Sequence, residues 1–250
     1  MRFLKFLVVL CSVVVIGAVV VWRVPAAWAY EHAGDRLAPL MLTGLHGTLW
    51  QGHAADASVL GHPLGALDWT LHKLPLLRGR LVATVNLQGS DLQASGSVER
   101  APGELTLRGI RFHLPATLIA PARHGDPQAW RGSLEGSIDE VRMQGAMLIA
   151  ARGQVRWSRP GIPALPELAL PDLLADFAAQ PDGSVAGSVR DDGGGRIAVD
   201  GQFKLRIGLL DAAIVLRARP GHPLAARALE RIGEPQADGS RRVVLHETWP

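Results

Sequence analysis

The chain has 250 residues, 48% of them hydrophobic, 5% aromatic and 20% charged, with 26 basic against 23 acidic side chains and a net charge of +3. Arg2, Lys5 and Arg23 account for that surplus, so the rest of the chain is formally neutral; interleaved charges and few aromatics exclude the electrostatic footprint of a nucleic-acid binder. Cys11, the sole cysteine, lies inside an apolar run, which excludes disulfides and thiolate metal sites from the remainder.

That run, Phe6 to Trp22, carries no charged residue. Its length is at the short end of the about 17 to 25 residues that cross a bilayer core. Arg2 and Lys5 precede it and only Arg23 comes closely after it, so the positive-inside bias leaves residues 1–5 in the cytoplasm, makes 6–22 a transmembrane anchor and exports the rest of the chain. Ala27-Trp28-Ala29 offers a competing signal-cleavage site before Tyr30. Arg23 and Pro25 separate the run from that site, and the run exceeds the usual apolar core of a signal peptide, so an uncleaved anchor is the reading preferred. Residues 23–41 are expected to form a juxtamembrane connector with a short helix over 27–37.

Next comes Thr43-Gly44-Leu45-His46-Gly47-Thr48-Leu49-Trp50-Gln51-Gly52, then Leu67-Asp68-Trp69-Thr70-Leu71 and Leu76-Leu77-Arg78-Gly79-Arg80. Glycines bracket short apolar-polar alternations, and a Trp sits inside each of the first two. The pattern resembles the type II secretion system protein N family (general secretion pathway protein N), whose members carry a Gly-Thr-Leu-Trp-x-Gly element and a later Leu-x-Trp-x-Leu. The resemblance implies a non-catalytic, single-pass component of the bacterial inner membrane with its bulk in the periplasm, supporting export of folded proteins across the outer membrane. It also implies protein partners: other type II secretion subunits of the inner membrane or periplasm, or the secretin. The motif residues carried over are Gly47, Thr48, Leu49, Trp50, Gly52 and Trp69, read as fold determinants.

The residues beyond the motif predict strands. Leu81, Ala83, Val85 and Leu87 alternate with polar neighbours, and Ile197, Val199, Phe203, Leu205, Ile207 and Leu209 fall on one parity opposite Arg196, Asp200, Gln202, Lys204 and Arg206. Gly89-Ser90, Pro102-Gly103, Pro181-Asp182-Gly183 and Asp192-Gly193-Gly194-Gly195 supply turn chemistry for antiparallel hairpins. The apolar parity switches at Gly109, as a bulge would require, and again after Leu209. A faint internal repeat relates 42–120 to 128–219, aligning Gly47–Gly52 with Gly132–Gly136, Trp69 with Trp157, and Gly96-Ser97-Val98 with Gly187-Ser188-Val189. Prolines from Pro160 to Pro171 predict a linker entering a short helix at 172–179. Pro223 to Ile232 predicts a helix with Leu224, Ala228, Leu229 and Ile232 on its apolar face and Gly233 at its stop, and a strand at 242–246 ends the chain. The fold class expected is mainly β: a transmembrane helix, then a periplasmic domain over 42–250 built on a curved antiparallel sheet, half-pipe or sandwich-like, with one or two short helices.

Catalytic chemistry is not legible. His46, His53 and His62 lack the short spacings that zinc sites favour, and no serine stands in a Gly-x-Ser-x-Gly elbow. Asp139-Glu140 and Asp191-Asp192 are consecutive, so in extended chain each pair points to opposite faces. The expectation is no enzyme, no cofactor, no metal and no small-molecule substrate. Trp50, Trp69, Trp130 and Trp157 are read as core residues packed over glycine backbone, with an exposed aromatic platform as the functional alternative. A second reading of the whole chain is a lipid-handling β module similar to AsmA-type proteins, in which bent one-face-apolar strands enclose a greasy groove.

Overall fold

The structure, a computed structural model, describes residues 24–119, 130–161, 169–206 and 208–248. The expected anchor at 6–22 and most of the proline linker lie outside these residues. Among the described residues no helix is long and apolar enough to cross a membrane. The chain divides into two compact units, Met1–Ser90 and Asp91–Pro250.

In the first unit, helix α1 (Ala26–Leu37) leads into strands β1 (Leu40–Gly47), β2 (Gln51–Val59) and β3 (His62–His72), a single helical turn α2 (Lys73–Leu76), and β4 (Leu81–Gln88). Each strand pairs antiparallel with the next. The helix expected over 27–37 is therefore present, and it is tied to the sheet: the Tyr30 hydroxyl donates to the Leu40 carbonyl (3.4 Å) and accepts from the Leu42 N–H (3.2 Å). Ala26, Ala54 and Ala57 are buried, small side chains that let backbone layers approach closely.

The second unit is a longer antiparallel meander: β5 (Gln93–Ala101), β6 (Glu104–Pro115), a 3₁₀ turn (Ala116–Ile119), β7 (Arg131–Gln144), β8 (Met147–Gly161), β9 (Leu173–Ala179), β10 (Val185–Asp191), β11 (Ile197–Arg206) and β12 (Leu209–Ala218). After helix α3 (Pro223–Leu229), β14 (Arg241–Thr248) pairs with β12, and the two-residue β13 (Glu234–Pro235) lies on its outer side. The protein is mainly β, as the sequence predicts.

Glycines in these strands are covered by rings from the neighbouring strand. A Cβ placed on Gly136 would come within 2.5 Å of the Phe112 ring, on Gly153 within 2.6 Å of Phe177, and on Gly187 within 2.6 Å of Phe203. Aromatic side chains laid over bare backbone restore the packing that a strand glycine forgoes, and they pin register, because a slip by one residue moves the ring to the other face. Phe177 stands opposite both Gly153 and Gly187. This corrects the helix expected at 172–179: Leu173, Ala175 and Phe177 share one parity, and the segment is a central strand between β8 and β10.

The Gly109 bulge is present. Gly109 has φ +59°, and the β5–β6 register skips between Ser95 and Ser97 opposite it. Two other expectations need correction. Ile197 and Val199 are buried at 1% and 4% exposure, but Leu205 is 41% exposed, and Leu209 begins the next strand beyond a hairpin turn at Gly208 (φ +74°). The parity switch after Leu209 is thus that turn, and a strand read through it mixes two faces. Helix α3 buries Ala225 and Leu229, with Ala228 and Ile232 packed alongside, against Ile197, Val199 and Leu216, whereas Leu224 is exposed. The expected face holds at Ala228, Leu229 and Ile232, and Ala225 packs in place of Leu224.

Asp191, at the end of β10, knits this core together. Its carboxylate accepts from the Gly193 N–H (2.8 Å), the Val199 N–H (2.7 Å) and the Arg219 guanidinium. Burial pushes its pKa up, but those two N–H groups and Arg219 outweigh burial and hold it below the ordinary carboxylate range. Its neighbour Asp192 accepts from the Gly194 N–H (2.9 Å), so the acidic pair shapes a turn.

Candidate functional site

The motif residues form one corner of the first unit. Gly47 takes φ +84°, a conformation that favours glycine, and a Cβ there would press on the Gln51 carbonyl at 2.5 Å. This lets Thr48 close a tight turn: its N–H donates to the Gln51 carbonyl (2.8 Å) and its hydroxyl accepts from the Gln51 N–H (3.2 Å). The Leu49 N–H donates to the Val24 carbonyl (2.9 Å), and Pro25 bridges to Thr48, so the residues just after the apolar run are held on the same turn. Trp69 reaches back from β3, donating its indole N–H to the Leu49 carbonyl (3.1 Å) while its ring covers Gly52 so closely that a Cβ there would overlap it. Gly47, Thr48, Leu49, Gly52 and Trp69 are thus brought together.

Trp50 differs from Trp69. Its carbonyl accepts from the Leu71 N–H (2.7 Å), which extends the β2–β3 pairing, but its half-buried ring borders an open cleft of about 970 Å³. Thr70, Leu71, Lys73, Leu74, Pro75 and Leu77 complete most of the wall, and the Lys73 ammonium lies 5.1 Å from the Trp50 ring centroid, within cation–π range. Leu74 and Leu77 are 79% and 85% exposed. Sequence reasoning singled out Leu76–Arg80 but missed Lys73 and Leu74 as parts of a surface feature. The signal was present as leucines at 74, 76 and 77 between Lys73 and Arg78, interrupted by Pro75.

A second pair of Trp residues lies in the second unit. Trp157 donates to the Arg131 carbonyl (2.9 Å), stands against Gly132 and stacks on Trp130 with centroids 5.8 Å apart and planes 7° from parallel. Trp69 is thus bonded to the residue before Trp50, and Trp157 to the residue after Trp130.

Polar groups elsewhere pair across strands. His46 and His53 face each other in the β1–β2 register, and His53 Nδ1 lies 2.8 Å from Asp68, but the same exposed His–carboxylate pairing recurs at His113–Glu135 (3.0 Å) and His246–Asp211 (2.7 Å). A pairing repeated at three separated surface positions is sheet stabilisation, not a dyad. Among the described residues no group of three or more His, Cys, Asp or Glu side chains could hold a metal ion. Glu140 is held below the usual carboxylate range chiefly by its hydrogen bond from Arg142 (2.8 Å), with Arg108 assisting. Ser184 is buried and bonded to Asp182 within its turn. The arrangement offers surfaces for contact, and hydrogen bonds to Glu140 and Asp191 favour their ionised forms.

Residues 38–244 match the family described as Type II secretion system (T2SS), protein N. The Type II secretion system protein N of Vibrio cholerae serotype O1 (strain ATCC 39315 / El Tor Inaba N16961) is 33% identical over 153 residues, which cover 56% of this chain and 58% of that protein. The match thus spans less than two thirds of that relative's length. No solved structure matches the chain. With the family match running from just before β1 into the first half of β14, and the motif turn within it, the chain belongs to the type II secretion system protein N family.

Proposed function

We propose that this protein is a non-catalytic component of the type II secretion system, held in the inner membrane by residues 6–22, with residues 1–5 cytoplasmic, 23–41 as connector and 42–250 as its periplasmic part. The observation that carries the reading is the family match over 38–244. The corner geometry supports the anchor: Val24 and Pro25 are bonded to Thr48 and Leu49, so the apolar run enters the domain at a fixed point. Ala27-Trp28-Ala29 lies within α1 beside buried Ala26, which argues against cleavage before Tyr30, since a signal peptidase needs extended chain. On this reading the protein works by contact with other secretion subunits of the inner membrane or periplasm, or with the secretin. Gly47, Thr48, Leu49, Gly52 and Trp69 build the fold, and Trp50 faces the cleft. Residues 42–120 and 128–219 derive from a duplicated unit, bent by bulges such as that at Gly109.

Purification of the full chain from membranes after brief cross-linking tests the reading. Enrichment of inner-membrane secretion subunits supports it; recovery of the protein alone, or a soluble product starting at Tyr30, counts against the partner and the anchor respectively. The lipid-handling alternative draws on one observation. Val155, Ala175, Phe177, Val185 and Phe203, on one face of β8–β11, remain only half-buried. It predicts altered outer-membrane lipid asymmetry in a deletion strain with secretion intact.

A further inference from the structure

We propose that the segment Lys73–Leu81 is a membrane-contacting loop that seats its leucines in the periplasm-facing leaflet of the bilayer that receives the N-terminal run. The inference rests on the anchor reading above and adds a second, peripheral point of attachment.

Three observations lead to it. The first is position. The apolar run ends at Trp22, and Val24, two residues on, is bonded to Leu49. Two extended residues span at most about 7 Å, and the headgroup layer on one side of a bilayer is roughly 5 to 7 Å deep. The corner carrying Leu49 and Trp50 therefore stands against the headgroups. Trp50 is in turn bonded to Leu71, which leads directly into Lys73 and α2. Neighbouring strands lie about 4.8 Å apart, so the loop is displaced from Val24 sideways, along the membrane, by about two strand spacings.

The second is exposure. Leu74 and Leu77 are 79% and 85% exposed and Leu81 is 40% exposed. Leucines set out on a single helical turn and its exit, beside an open cleft rimmed by Trp50, present apolar surface that water does not reward. Trp28, in the first turn of α1 and 53% exposed, starts from the same corner. Trp at such a level is characteristic of the membrane–water interface.

The third is charge. Lys73, Arg78 and Arg80 flank the leucines, and the segment has no acidic residue. Leucines between basic residues suit a surface of anionic lipid headgroups, with the acyl boundary below, better than they suit an apolar protein groove.

The test uses the full chain in bilayer discs. Native Cys11 is labelled with a nitroxide in one sample; in a Cys11→Ser background, Leu74→Cys, Leu77→Cys and Leu60→Cys are labelled in three more. Leu60 is the control: it is 77% exposed but sits at the β2–β3 turn, about 30 Å from Gln51 along β2. Accessibility to oxygen and to a water-soluble nickel chelate gives the depth of each label. The expected result is Cys11 in the bilayer core, positions 74 and 77 oxygen-accessible and several-fold protected from nickel, at a depth of about 5 to 10 Å, and position 60 fully nickel-accessible. Replacing neutral phosphatidylcholine with phosphatidylglycerol should move 74 and 77 deeper. A Cys11 label in lipid with 74 and 77 in water overturns this inference and leaves the anchor standing. Labels at 74 and 77 shielded from both probes mean that protein covers the leucines, which also overturns it. A Cys11 label in water overturns the anchor and this inference with it.

Discussion

Removing and restoring the contact between Gly52 and Trp69 should give strongly non-additive stabilities. The Trp69 ring lies where a Cβ on Gly52 would stand, and its indole N–H is bonded to the Leu49 carbonyl at 3.1 Å. Truncating a fully buried Trp costs about 3 to 5 kcal/mol; for this half-buried ring the lower end applies, and loss of the N–H bond adds about 1 kcal/mol, so Trp69→Ala should cost about 3 to 4 kcal/mol. Gly52→Ala forces the ring out of its seat and should cost about 1 to 3 kcal/mol by overpacking. In the double variant the overlap no longer exists, so the total should equal that of Trp69→Ala alone within about 0.5 kcal/mol, a coupling of about 1 to 3 kcal/mol. Urea titrations monitored by far-ultraviolet circular dichroism measure all four proteins without relying on the Trp being removed. Additive costs, or a Gly52→Ala variant as stable as the parent, would show that the ring does not depend on a bare backbone beneath it.

Other perturbations separate the elements. Trp50→Ala should shift the midpoint less than Trp69→Ala, because the Trp50 ring borders the open cleft; an equal or larger loss would place Trp50 in the core. Ile197→Asp puts a charge at a site 1% exposed and should prevent or severely weaken folding, whereas Leu205→Asp, at 41% exposure, should change the midpoint little; comparable losses from the two would refute the observed faces of β11. Asp191 has a folded pKa below its unfolded value, so its contribution is complete above about pH 4 and is lost as pH falls through the folded value. Asp191→Asn should therefore be less stable than the parent at neutral pH, with the gap closing below about pH 4 in denaturation curves; a gap independent of pH would remove the carboxylate from the account.

Much of the fold was legible because turn chemistry is local. Gly109, Pro102-Gly103 and Asp192–Gly195 stand at the bulge and turns that their residue types demand, α1 begins one residue before its expected start, and α3 lies within the segment expected to be helical. What failed was non-local. Residues 172–179 read as a short helix because nothing in their own sequence reveals that Phe177 will cover Gly153 on one side and face Gly187 on the other. The parity from Ile197 to Leu209 runs unbroken through a hairpin turn, since Gly208 is the sole local sign of a reversal. The motif corner was recognisable as a pattern, but the division of labour within it was not: that Trp69 locks the turn while Trp50 faces a cleft depends on which ring meets Gly52 across the β2–β3 pair. Leu74 and Leu77 were hidden for the opposite reason, because leucines are expected inside and only the packing shows them outside.

The central claim, a role in the type II secretion machine, is tested most directly by deleting the gene in its host and measuring where folded substrates of that machine reside. The account predicts active exoprotein trapped in the periplasm and depleted from the medium, reversed by the parent gene and not by a variant lacking residues 6–22. Normal exoprotein in the medium together with altered outer-membrane lipid asymmetry would contradict it and favour the lipid-handling reading.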